Sequence, residues 1–197
     1  ALLDPSVWPQ PVSELDRLET HISWVFLTGE FAYKIKKPLA LEFLDFSTLE
    51  LRRHWCEEEV RLNRRWAPGL YLGVVAISGT ATAPIVGGSG PAIEYAVKMR
   101  QFPQVALLSE QLRAGELVNA DVIELAEMIA NRHVNAPVVT DERFGALPAI
   151  RKPMEENFLY LKPSLAEEDD ACFEAWTHIE LQQCAAHLDA RRRDGYV

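Results

Sequence analysis

The residues best placed to do chemistry are a lysine and a glutamate in adjacent segments. Ala32-Tyr33-Lys34 sets a small residue and a cation two positions apart, so in an extended strand both side chains leave the same face. A nucleotide lying against a sheet needs that pairing: a small residue where the flat base stacks, and an ammonium that reaches the phosphates. A phosphate-binding lysine keeps its position when a glutamate on a helix pairs with it. Glu57-Glu58-Glu59 supplies three candidates. Glu59 falls four residues after Trp55 and three before Leu62, on the expected apolar side of a helix. Glu58 and Glu57 are turned away from it by about 100° and 200°. Taken singly, Lys34, Lys36 and Lys37 read equally well as a solvated strand end, and the glutamates as a solvated helix face. The order strand, lysine, helix, glutamate, strand, strand, helices is what makes the pairing specific.

The elements that would hold this pair follow from pattern. Pro5, Pro9 and Pro11 favour extended structure at the start, with a short helix over 12–18. Residues 19–37 read as strands: Trp24-Val25-Phe26-Leu27 runs into the turn Thr28-Gly29-Glu30, and Phe31 to Lys36 alternates with period two until Pro38. Ser47 or Thr48 can cap a helix reaching about residue 66, with Glu50 at capping-box spacing from Ser47. Leu51, Trp55, Leu62 and Trp66 form its apolar stripe, and Ala67-Pro68-Gly69 stops it. Strands follow over 71–77 and 92–100, the second with Ile93, Tyr95, Val97 and Met99 on one face. Between them 79–90 is a small-residue loop with Gly87-Gly88-Ser89-Gly90 at its tip. That glycine cluster lacks the strand-to-helix setting of a phosphate loop and reads as a hairpin tip. After Phe102-Pro103 the pattern turns helical, over 105–112 and 120–133, and again from Asp169 or Asp170, as cap, to about 192. The stretch 137–165 has no clear pattern. The fold class is therefore α+β, with a seam near residue 103.

Composition excludes several functions. The 197 residues are 48% hydrophobic and 25% charged, enough for a real core. A net charge of −9 argues against a non-specific nucleic-acid surface, which needs excess Lys and Arg. Cys56, Cys172 and Cys184 are scattered and odd in number, which suits a reducing cytoplasm better than a disulfide framework. No apolar run approaches the ~20 residues that span a bilayer, and no signal peptide opens the chain, so no membrane is expected. The five histidines form no HExxH, and no GxSxG is present. Glu167-Glu168, Asp169 and Asp170 read as helix capping and dipole compensation, and Arg191-Arg192-Arg193 as a helix C-terminus. The chain opens on Ala1 rather than Met, which suggests a longer parent.

Several runs together resemble a known family. They are Glu19 to Pro38 (ETHISWVFLTGEFAYKIKKP), Phe43 to Leu49 (FLDFSTL), Cys56 to Arg65 (CEEEVRLNRR) and Glu94 to Pro103 (EYAVKMRQFP). These are similar to the aminoglycoside phosphotransferase-like enzymes. More narrowly they resemble a bacterial branch often fused to a C-terminal P-loop ATP-binding domain. The resemblance extends over essentially the whole chain and is most specific in 19–72 and 94–103. It implies a protein-kinase-like fold: an antiparallel-sheet nucleotide-binding lobe with one helix and a hinge over 1–102, then the first helices of an α-helical lobe over 103–197. It implies ATP as donor, with Lys34 on the phosphates and Glu59 paired to it. Ala32 would pack on the base. Val97 to Gln101 would form the hinge, with Met99 and Gln101 favoured for hydrogen bonds to adenine. The turn His21-Ile22-Ser23 would cover the phosphates, with Ser23 as a contact.

Three departures accompany the resemblance. The covering turn has no glycine. Lys36 shares the face of Lys34 and could take its role. The family's catalytic stretch, a His-Gly-Asp run followed by a metal-binding Asn and then Asp, has no counterpart in 100–197: neither Asp141-Glu142-Arg143 nor Asp194-Gly195 matches. The expectation is an N-terminal fragment in which the last helix leads toward a catalytic loop further on. Catalytic residues and Mg²⁺ ligands would come from there, and the chain alone would be inactive. The expected function is phosphoryl transfer from ATP to a hydroxyl of a small-molecule acceptor. The alternatives are a catalytically silent kinase-like module that binds nucleotide or a partner, and a purely structural domain.

Overall fold

The computed structural model describes residues 1–41, 43–139, 141 and 143–196, with only the backbone of Glu167, Glu168 and Asp170. Two compact units divide the chain, Ala1–Glu116 and Leu117–Val197. The fold is α+β, and the first unit is built on a six-stranded antiparallel sheet.

Its strands are β1 (Asp16–Glu19), β2 (Ser23–Leu27), β3 (Phe31–Lys36), β6 (Tyr71–Gly79), β7 (Pro84–Val86) and β8 (Glu94–Arg100). Their order is β1-β2-β3-β8-β6-β7, so β3 and β8 are central. A separate two-stranded ribbon, β4 (Ala40–Leu41) and β5 (Leu44–Asp45), precedes α1 (Leu49–Asn63). A 3₁₀ turn at Gln104–Ala106 and α2 (Leu108–Ala114) complete the unit.

Period-two alternation in β3 buries both faces. Tyr33 and Ile35 point into one cluster with Trp8, Phe26, Ile77, Val86 and Ala96. The proline-rich start of the chain lies on that cluster through Leu2, Val7, Val12 and Leu15. Gln10 pins it there, donating to Thr28 Oγ1 and accepting from the Tyr33 hydroxyl, both at 2.9 Å. The helix expected over 12–18 does not form; Asp16–Glu19 is an edge strand paired to β2. A partner strand satisfies its backbone groups, and tertiary pairing overrides a weak local helix preference.

The opposite face packs against α1. Thr48, not Ser47, is its N-cap, accepting from Leu51 N–H at 3.2 Å. The buried stripe is Arg52, Cys56 and Val60, one residue round from the expected one. Trp55, Leu62 and Trp66 are 40–44% exposed. Arg52 can be buried because its Nε donates to both Glu94 oxygens at 2.9 Å and its Nη1 to the carbonyls of Phe46 and Ser47. Cys56 is small and lets the helix approach β8, where its thiol reaches the Tyr95 carbonyl. The helix ends at Asn63, three residues early, in a run of turns to Trp66.

The small-residue loop also differs. Residues 84–86 form β7 against β6, so the hairpin tip lies over 80–83 and Gly87–Gly90 is the turn from β7 toward β8. A Cβ at Gly88 would crowd the Ser78 and Ile85 side chains.

The second unit consists of α3 (Asn119–Val134), α4 (Leu147–Leu161), a 3₁₀ turn at Lys162–Ser164 and α5 (Glu167–Arg193). Asp121 accepts from Val118 N–H at the start of α3. The unassigned stretch thus holds a full helix, α4, with Pro148 in its first turn and Pro153 inside it. Helix α5 begins before the expected caps; Ala166 occupies the N-cap position and gives no side-chain hydrogen bond. The capping roles expected of Glu167, Glu168 and Asp170 fall outside the described side chains, and Glu142 outside the described residues. Among the described residues, no helix is long and apolar enough to cross a membrane.

Candidate functional site

Strand β3 and helix α1 bring the lysine and glutamate together. Lys34 Nζ donates to Glu59 Oε1 at 2.8 Å. Lys36 Nζ donates to Glu59 Oε2 at 2.6 Å. The question of which lysine pairs with Glu59 therefore has a two-sided answer, since each carboxylate oxygen holds one ammonium. The lysines differ in surroundings: the Lys34 side chain is 27% exposed and that of Lys36 only 5%. Lys36 Nζ also sits 4.8 Å from the centroid of the buried Phe46 ring, a cation–π contact. Burial by itself would raise the Glu59 pKa, but the hydrogen bonds from Lys34 and Lys36 outweigh it and hold the carboxyl below its ordinary value.

Beside this cluster lies a cleft of about 340 Å³. Leu18 and Thr20 of β1 and the following turn, Val25 and Leu27 of β2, and Ala32 and Lys34 of β3 form one wall. Glu59, Leu70 and Tyr71 lie along another, and Met99, Arg100, Gln101, Phe102 and Gln104 along the strand end that leaves the sheet. The lining is mainly apolar, with the Lys34–Glu59 pair at the wall. Small-molecule sites have this character: mostly apolar surface with a few placed polar groups. Tyr71 stays neutral, since burial and the nearby Glu59 raise its pKa against a smaller opposing effect of Lys34.

Five of the expected site residues, Ala32, Lys34, Glu59, Met99 and Gln101, line this one cleft. Register explains the grouping: Ala32 pairs with Met99 and Lys34 with Val97 across the β3–β8 ladder. Val97 itself is fully buried, packed with Cys56 and Val60. Ser23 is also fully buried, opposite Lys36 at the start of β2, and neither residue is in the lining. The turn before Ser23 is locked by Thr20, whose hydroxyl accepts from Ser23 N–H and donates to its carbonyl. Gln101 is fixed twice: its N–H donates to Glu30 O and its Oε1 accepts from Gly29 N–H, at 3.0 and 2.9 Å. Its N–H is thus engaged within the chain. Gly29, at φ 92°, takes the left-handed turn that this contact needs.

Sequence reasoning missed Thr20, Val25, Leu27, Leu70, Tyr71 and Phe102. Val25 and Leu27 were reachable, because alternation in β2 puts them on one face and the hairpin turn sets them opposite Lys34 and Ala32. Leu70 and Tyr71 are brought in by the pairing of β6 with β8, which no local pattern encodes. Among the described residues, no group of three or more His, Cys, Asp or Glu is gathered to hold a metal ion.

The chain is 35% identical over 122 residues to an uncharacterized protein of Mycobacterium bovis and to uncharacterized proteins of two Mycobacterium tuberculosis strains. Each match covers 62% of this chain and 23% of the relative, so the chain matches less than a quarter of their length. No family model matches the chain. No solved structure matches it.

Proposed function

We propose that this chain forms the ATP-binding part of a kinase-like small-molecule phosphotransferase, acting on a hydroxyl-bearing acceptor. The observation that supports it best is the Lys34–Glu59 pair at the wall of an apolar cleft that also contains Ala32, Met99 and Gln101. The apolar walls suit a flat base, with Ala32 leaving room for stacking. Lys34, partly exposed and already oriented by Glu59, would neutralise phosphate charge without reorganising. Gln101 would read the base edge through its carbonyl or its side-chain amide. The contribution of these residues is to bind and orient the donor, which is most of what phosphoryl transfer asks of a protein. Magnesium would arrive with the nucleotide, and the proposal assigns it no ligand in this chain.

The test is ATP affinity by calorimetry for the unsubstituted protein and for Lys34→Ala. Removing the ammonium should weaken binding about ten-fold or more. Unchanged affinity and turnover would remove Lys34 from the site. A longer parent protein that binds ATP through Lys34 but never consumes it would be a silent nucleotide-binding module instead.

A further inference from the structure

We infer that Lys36 is a positioning residue for the cleft: it holds Glu59 from below, so that Lys34 presents a net positive charge to an anionic ligand that Lys36 itself does not touch. The inference rests on the nucleotide reading for the identity of the ligand, but not for the arrangement of charges.

Three observations carry it. Lys36 is buried and absent from the cleft lining, whereas Lys34 is partly exposed and lines it. Both ammoniums bind the same carboxylate, at 2.6 Å for Lys36 and 2.8 Å for Lys34. The group of three therefore has two positive charges and one negative. Cys56 and Tyr71, the other titratable groups coupled to Glu59, are both driven toward their neutral forms by burial, Cys56 to a pKa of about 11. Arg52 lies on the same helix but is neutralised by Glu94.

With Lys34 and Glu59 alone, the pair would be neutral, and an incoming phosphate would have to compete with Glu59 for Lys34. Lys36 changes that balance. It satisfies the carboxylate from the protein side, which leaves the excess charge on the lysine that faces the cleft. Its aromatic support from Phe46 keeps the ammonium in place without a second acid that would cancel it.

The experiment compares Lys36→Met, Lys34→Met and the double variant Lys36→Met/Glu59→Gln in the whole chain. Affinities for ATP and for inorganic tripolyphosphate are measured, with thermal melts to verify folding. Lys36→Met should weaken both ligands about ten-fold, because the remaining pair is neutral. Adding Glu59→Gln restores one net positive charge and should recover part of the loss, the remainder being the orientation that Glu59 gives Lys34. If Lys36→Met fails to fold, Lys36→Gln, which keeps a hydrogen-bond donor for Glu59 without the charge, takes its place and should weaken both ligands by a similar factor. Wild-type affinity in Lys36→Met, or a double variant as weak as the single one, would overturn the inference. A second readout is independent of ligand: the Glu59 carboxyl resonance, followed by NMR, should titrate higher in Lys36→Met, and an unchanged titration would overturn the positioning role. An unsubstituted chain that binds tripolyphosphate but not ATP would defeat the nucleotide reading while leaving the role of Lys36 intact. Binding of neither would defeat the nucleotide reading, and the Glu59 titration alone would then decide the role of Lys36.

Discussion

The two compact units bury their apolar residues very differently. In Ala1–Glu116 both faces of the sheet are covered, one by the proline-rich start of the chain and the other by α1. In Leu117–Val197, Leu181 is the buried hydrophobic residue among those described, while Val134, Leu159 and Trp176 are 62–82% exposed. Tertiary packing, more than intrinsic propensity, stabilises most helices. The first unit has that packing and can hold side chains at fixed distances. The helices of the second depend more on local terms such as the Asp121 cap and the Arg151–Glu155 ion pair one turn apart. The contrast explains why the candidate site is built in the first unit. A charged pair can be preorganised only where its supporting elements are themselves fixed.

The largest effect should separate the units directly. Tyr33→Ala, at a fully buried ring, should cost about 4 kcal/mol, as aromatic-to-alanine core changes do. Trp176→Ala, at 62% exposure, should change stability by about 0.5 kcal/mol or less. Urea unfolding followed by circular dichroism measures both, and equal losses would break the comparison.

Next in size is Glu59→Ala. It leaves two ammoniums together with no acid between them, and should destabilise the first unit by about 3 kcal/mol. The same cluster sets an acid limit. Because the folded carboxyl titrates below its ordinary value of 4.5, the unfolded chain takes up this proton first as the pH drops. The stabilisation is complete above about pH 4.5 and is lost as the pH falls through the lower, folded value. Glu59→Gln should flatten that acid dependence, which thermal melts from pH 6 to 3 would reveal.

A smaller effect is expected at Thr48→Ala, which removes the cap of α1 and should cost about 1 kcal/mol. Hydrogen exchange sharpens the same comparison without mutation. Amides of β3 and β8 should be the last to exchange and those of α3 to α5 much faster.

Different physics made some parts of the molecule legible in the sequence and hid others. Alternation in Phe31 to Lys36 and the turn at Gly29 state the β2–β3 hairpin locally, and the 3.6-residue period states α1 and α3. Ala32 and Lys34 were legible for that reason, whereas Glu59 was reached through Trp55 and Leu62, which are 40–44% exposed. The buried stripe of α1 was not legible, because an arginine occupies it. Arg52 reads as a surface residue until Glu94, distant in sequence, and two carbonyls are seen to neutralise it. Helix α4 was hidden by its internal Pro153, and β7 by the glycines around it. Tyr71 and Leu70 reach the cleft through long-range pairing, and the double hold on Glu59 by Lys34 and Lys36 depends on how deep each lysine lies. Neither is written in any short window of residues.

The central claim is that nucleotide binds in the cleft lined by β1 to β3, Glu59, Tyr71 and the end of β8. Backbone chemical shifts followed by NMR during titration with ATP test it most directly. The account predicts saturable shifts concentrated at Val25, Ala32, Lys34, Tyr71, Met99 and Gln101, and their loss in Lys34→Ala. Shifts confined to residues outside the cleft, or none at millimolar ATP, would contradict it.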